Sequence, residues 1–141
     1  MARVGRTNGW NYEFGDSMTP SEIIIADSKR EGVSPSVVLK TVSKFVKAGL
    51  ATLIQENNSV LMLTFIDKND VELHLFTADS ALTLAKSLVS FINTIKQSDL
   101  NRVYGKTDNS GILEMLKRVG VNVLPSDKPD YNWMANVHGA L

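Results

Sequence analysis

Few side chains in this 141-residue chain can move a proton near neutral pH: it holds two histidines, His74 and His138, and no cysteine. His74 lies in the run Val71-Glu72-Leu73-His74-Leu75. An imidazole close to a carboxylate has the chemistry of a general base, and Tyr104 or Asp108 could supply an acid. The plainer reading of His74 is structural, because Leu73 and Leu75 alternate with it and face the other side of a strand. Tyr104 reads more simply as core or rim than as catalyst. His138 has no partner at ligand spacing, so no metal site is expected. The lack of cysteine excludes disulfides, thiolate zinc sites and a cysteine nucleophile.

These residues hang on elements whose limits the sequence marks. In Leu100 to Val123, a short strand Arg102–Tyr104 precedes Asn109, which can cap a helix through its side-chain oxygen. Ile112, Leu113 and Leu116 recur at helical spacing, and Lys117 and Arg118 put positive charge in the last turn, where the helix dipole favours it. Gly120 then closes the helix in a left-handed conformation, and Val121–Leu124 can begin a strand. Upstream, Thr19-Pro20 with Glu22 and Ser34-Pro35 each mark a helix start. The first helix is predicted to end at Gly32. The second is predicted to carry Val38, Val42, Phe45 and Val46 on one side and to end at Gly49.

Three strands are predicted at Ala51–Glu56, Val60–Ile66 and Val71–Phe76, joined by Asn57-Asn58 and Lys68-Asn69-Asp70 into an antiparallel meander. A long helix over Ser80 to Gln97 follows, with Leu82, Ala85, Leu88, Val89 and Ile92 as its expected buried stripe. Tyr131 to His138 is a final strand. Met1 to Ser17, with no helical or alternating period, is read as an arm before a single domain over 18–141.

Fifteen acidic and fifteen basic side chains cancel, so the overall charge gives no reason to expect a nucleic acid as partner. A hydrophobic fraction of 43% suits one globular domain with a core. No run approaches the roughly twenty apolar residues of a membrane span, and no cleavable leader is expected.

The order helix, helix, three antiparallel strands, long helix, strand, helix, strand, strand resembles the GNAT (Gcn5-related N-acetyltransferase) superfamily. Asn109, Ile112, Gly120 and Val121 match a family line over strand, helix and turn. The resemblance implies a mixed α/β (α+β) fold, a mostly antiparallel sheet of about six strands flanked by about four helices. More narrowly, Ser34-Pro35, Phe76-Thr77, Asp108-Asn109 and Leu116-Lys117-Arg118-Val119-Gly120 resemble phage-encoded GNAT-like proteins that include internal virion proteins of short-tailed phages.

Two positions depart from the acetyl-CoA-dependent members. Where those carry a basic, glycine-rich turn whose N–H groups meet a pyrophosphate, this chain has Phe76-Thr77-Ala78-Asp79-Ser80-Ala81-Leu82-Thr83, without glycine or base. Leu116 stands where many members have a tyrosine that protonates the leaving thiolate, and leucine carries no proton to give. The expectation is therefore no cofactor and a role in the virion or another assembly, with other virion or assembly proteins or further copies of this chain as partners, located in the host cytoplasm during synthesis and then in the particle. The alternative is an active N-acyltransferase that holds acetyl-CoA through Phe76, Thr77, Asp79, Ser80 and Asn109, with His74 or Tyr104 as catalyst. On either view Asp79, Ser80 and Asn109 also read as helix caps. In the arm, Arg3, Arg6, Trp10 and Tyr12 suit docking on a partner protein or on the chain's own domain better than on single-stranded nucleic acid, for which two arginines are few. Lys40, Lys44 and Lys47 suit a solvated helix face.

Overall fold

The computed structural model describes residues 17–138. The arm residues Arg3, Arg6, Trp10 and Tyr12 lie outside them. Helix α1 spans Pro20–Glu31 and begins with the expected capping box: Thr19 Oγ1 accepts from the Glu22 N–H, and Glu22 Oε1 accepts from the Thr19 N–H. Helix α2, Pro35–Lys47, is capped by Ser34. Strands β1 (Ala51–Glu56), β2 (Ser59–Phe65) and β3 (Asp70–Thr77) form the antiparallel meander. Helix α3 (Ala81–Lys96) then crosses to β4 (Arg102–Gly105), which lies parallel to β3, and α4 (Ser110–Arg118) leads towards β5 (Trp133–Asn136), antiparallel to β4.

Among the described residues the sheet order is β1-β2-β3-β4-β5, five strands where about six were expected. The difference lies at Val121–Leu124, where the expected strand is reduced to one bridge between Leu124 and Met134. Leu124 and Met134 exchange both backbone hydrogen bonds, and Pro125, a residue that sheets admit mainly at edges and strand starts, follows at once. The last strand is also shorter than the expected Tyr131 to His138.

Both faces of the sheet are covered, which is why β2 reads as a continuous apolar run instead of an alternating one. On one face Leu61, Leu63, Val71 and Val103 pack with Leu84, Leu88, Phe91 and Ile95 of α3 and with Leu116, Val121, Trp133 and Ala135. On the other, Val60 and Phe76 pack with Ile23, Ile24 and Val42 of α1 and α2. Gly105 admits close approach, for the Trp133 indole occupies the space that any Cβ there would need.

The expected stripe of α3 needs correction. Leu82 is 72% exposed and Val89 44% exposed; Leu88 is buried as expected, Ala85 and Ile92 are half-buried, and the buried face continues through Leu84, Phe91 and Ile95. Helix α3 is apolar around most of its circumference, so periodicity offers two stripes, and the sheet takes the one carrying the phenyl ring. In α2, likewise, Val42 is buried but Val46 is 38% exposed. No helix among the described residues is long and apolar enough to cross a membrane.

Candidate functional site

The parallel ladder between β3 and β4 is short, pairing Asp70, Val71 and Glu72 with Arg102, Val103 and Tyr104. Beyond Glu72, β3 pairs among the described residues only with β2, so Leu73–Thr77 borders a gap in the described sheet. The strand leads into Ala78-Asp79-Ser80 and the first turn of α3, where helix N–H groups and the helix dipole favour anions.

That junction is bonded to the rest of the chain. The Thr77 N–H donates to Asp27 Oδ1 at 3.0 Å, the Ala78 N–H to the Asn58 carbonyl at 2.9 Å, and the Asp79 N–H to Thr77 Oγ1 at 3.1 Å. The Asp79 carboxylate points towards the β1–β2 turn: Oδ1 accepts from the Asn58 N–H at 3.2 Å, and Oδ2 accepts from Ser59 Oγ at 2.7 Å. Ser87 of α3 is bonded to the same turn through Asn57 Nδ2 at 3.0 Å. Ser80 caps α3 by accepting from the Thr83 N–H. Among the described residues, the N–H groups of Ser80, Ala81 and Leu82 have no protein partner, as first-turn groups ordinarily do not.

Asp27 is buried, and its charge is compensated on two sides. Arg30 Nη2 meets Oδ1 at 2.6 Å, while Arg30 Nη1 donates to the Thr77 carbonyl at 2.7 Å. Burial opposes the guanidinium charge, but the hydrogen bond and charge of Asp27, then those of Glu31, outweigh it and hold the Arg30 pKa above its ordinary value. One charge pair thus fixes the end of β3 to α1. Removing either partner would leave buried polar groups unmatched.

The proton-carrying candidates lie elsewhere on the sheet. His74 is exposed and tilted against the Phe76 ring, with centroids 4.5 Å apart. Tyr104 is fully buried opposite Glu72. Its hydroxyl donates to Asp127 Oδ1 at 2.9 Å and accepts from Arg102 Nη1 at 3.4 Å, and Lys128 Nζ sits 5.4 Å from its ring centroid. Tyr131, whose ring is 5.5 Å from that of Tyr104, donates to Glu72 Oε1 at 3.3 Å. Burial, then the Glu72 charge and hydrogen bond, then Asp130, raise the Tyr131 pKa.

The structure therefore brings Phe76, Thr77, Asp79 and Ser80 together at one junction and sets Tyr104 beside the loop before β5. Asn109 belongs to neither group. Its Oδ1 accepts from the Gly111 N–H at 2.9 Å as the cap of α4. Leu116 is buried against the core. Among the described residues, no group of three or more His, Cys, Asp or Glu side chains is placed to hold a metal.

Sequence reasoning missed Asp27, Ser59, Ser87 and Asp127. Asp27 and Ser87 carried a usable signal, since each is a polar residue at core spacing on its helix, near Ile23 and Ile24 or beside Leu84 and Leu88. For Ser59 and Asp127, placed by turns, there was none.

No family model and no curated protein matches this sequence. Solved structures do match by shape. A GNAT-family acetyltransferase from Staphylococcus aureus Mu50 aligns with a TM-score of 0.59 at 15% identity, over 86% of this chain and 97% of that one. This chain has the GNAT acetyltransferase fold. The Campylobacter jejuni N-acetyltransferase PseH, solved with acetyl coenzyme A, aligns at 0.55 with 12% identity over 84% of this chain and 91% of its own. A chimera of spermidine N-acetyltransferase SpeG from Vibrio cholerae and hSSAT aligns at 0.53 with 6% identity, over 85% and 91%. At such identities the GNAT likeness is one of fold, so function must be argued from the side chains.

Proposed function

We propose that this chain is a GNAT-fold protein whose cofactor loop is closed by its own hydrogen bonds, and that it serves an assembly as an interaction protein. The observation carrying this reading is the β3–α3 junction. Three consecutive N–H groups, Thr77 to Asp79, are engaged within the chain, and the carboxylate of Asp79 is tied into the same knot. A pyrophosphate approaching it would meet a carboxylate without a basic residue in the turn, and opening the loop would orphan Asn58 and Ser59. Leu116 adds that the usual acid is missing. The resemblance to phage-encoded GNAT-like proteins suggests a virion as the assembly, with other virion proteins or further copies of this chain as partners.

Two features favour the second reading, an N-acyltransferase using acetyl-CoA through a nonstandard cradle. They are the gap beyond Glu72 and the three first-turn N–H groups of α3 that have no partner among the described residues. In that case His74, exposed on the strand bordering the gap, is the available base.

Thermal unfolding with acetyl-CoA and with free coenzyme A separates the readings. A ligand at 100 times its Kd stabilises the folded state by about 2.7 kcal/mol. The first reading expects an unchanged melting temperature with both ligands. A saturable rise would support the second.

A further inference from the structure

On the face of the sheet away from α3, helices α1 and α2 pack against β1, β2 and β3. Glu72, Arg102 and Tyr104 belong to that face, because they alternate with Val71 and Val103, which pack with α3. Tyr104 is fully buried there. Its cover includes residues 125–131, which run from the bridge between Leu124 and Met134 to Asn132, whose N–H donates to the Gly105 carbonyl at 3.1 Å.

Between those two backbone anchors, the described bonds from the segment to the sheet come from side chains. Asp127 accepts from the Tyr104 hydroxyl and pairs with Arg102 at 3.3 Å, Lys128 Nζ lies over the Tyr104 ring, and the Tyr131 hydroxyl donates to Glu72. Charges of both signs stand on each side of the contact, Glu72 and Arg102 on the sheet and Asp127 and Lys128 on the segment. A half-exposed pair such as Arg102 with Asp127 adds little stability and is screened by salt. The segment's own bonds are local. Ser126 Oγ accepts from the Lys128 N–H and donates to the Lys128 carbonyl, both at 2.9 Å, and the Tyr131 N–H donates to that same carbonyl at 3.3 Å. A turn of this size does not hold in water without something to pack on. Units tied down by a few exposed contacts are the ones that open while the rest of a fold stays closed.

We infer that residues 125–131 form a strap, whose side-chain latch on Glu72, Arg102 and Tyr104 opens while the rest of the sheet stays folded. Opening uncovers the end of the β3–β4 ladder, so ionic conditions set the access to Glu72, the last residue of β3 paired with β4 before the gap. This stands whether or not the cofactor loop binds a ligand.

Amide hydrogen exchange on the full chain tests it, read at Lys128, Tyr131 and Asn132, with the amides of β2 as controls. Asp127→Ala removes both the acceptor of the Tyr104 hydroxyl and the partner of Arg102. The expected result is exchange about tenfold faster at the strap amides in this variant, with β2 unchanged. Raising the salt from about 0.1 M to about 1 M, which shortens the Debye length from about 10 Å to about 3 Å, should speed the same amides in the natural chain. Strap amides that exchange at the β2 rates in the natural chain, or β2 amides that accelerate with them in the variant, overturn the proposal and make the segment an integral part of the core. Strap rates indifferent to Asp127→Ala or to salt also overturn it, because closure then rests on ring packing alone.

Discussion

The α4 unit and the β3–α3 junction both set a helix beside a strand of one sheet, but they satisfy their polar groups over very different distances along the chain. In α4 every partner is local. Asn109 caps Gly111, and at the other end the Gly120 N–H donates to the Lys117 carbonyl while the Val121 N–H donates to that of Leu116. Val121 then packs into the same core as Leu116, completing a Schellman closure. At the junction, besides the local bond from the Asp79 N–H to Thr77 Oγ1, the partners of Thr77 and Asp79 include Asp27, Asn58 and Ser59, which lie 50, 21 and 20 residues away. Local bonding leaves a helix whose two ends are satisfied by its own segment. The distant bonding joins α1, the β1–β2 turn, β3 and α3 into one unit, at the place where an acetyl-CoA-binding GNAT protein needs its backbone free.

The largest effect should come from α3, the helix that the junction starts. Leu84→Ala removes a buried side chain and should destabilise the fold by about 3 kcal/mol. Leu82→Ala, at a site 72% exposed, should change stability by less than about 0.5 kcal/mol. Chemical denaturation measures both, and equal losses would mean that α3 presents its other stripe to the sheet. Next comes Asp79→Ala, which leaves the Asn58 N–H without an acceptor and the Ser59 hydroxyl with Thr77 Oγ1, 2.7 Å away, as its remaining partner. About 2 kcal/mol of destabilisation is expected. A neutral outcome would reduce Asp79 to a surface residue and break the contrast between the two regions.

That contrast also explains what could be read in the sequence. Helix caps at Thr19, Ser34, Ser80 and Asn109 depend on residues two or three positions on, so the helix starts were legible. The meander was legible for the same reason, through its turns at Asn57-Asn58 and Lys68-Asn69-Asp70. The absence of glycine and base from the Thr77–Thr83 turn was plain, but what fills their place was not. No local rule pairs Asp27 with Thr77 or Tyr104 with Asp127, because these contacts exist only once the sheet has assembled. The error in α3 has the same root: two stripes of similar apolarity differ only in what the tertiary fold sets against them.

Smaller effects sharpen the local side. Gly120 has φ of +101°, and a Cβ there would meet nothing within 4 Å. The cost of Gly120→Val is therefore backbone strain alone, about 1–2 kcal/mol, seen as a lower unfolding midpoint. The smallest effect concerns Tyr131. Its pKa is raised in the folded state, so the fold binds more protons than the unfolded chain once pH exceeds the ordinary tyrosine value near 10. The stabilisation is complete below that pH and declines as pH rises through the folded pKa. Tyr131→Phe should flatten this alkaline limb in a series of melts, and an unaltered limb would assign it to other groups.

The central claim is that the β3–α3 junction bonds to itself in place of a cofactor. A residue-resolved NMR titration with acetyl-CoA reads it directly at the amides of Thr77 to Leu82. The account predicts no saturable shift at these amides. A saturable shift centred on Ser80, Ala81 and Leu82, with micromolar affinity, would contradict it and make the chain a cofactor-binding acyltransferase.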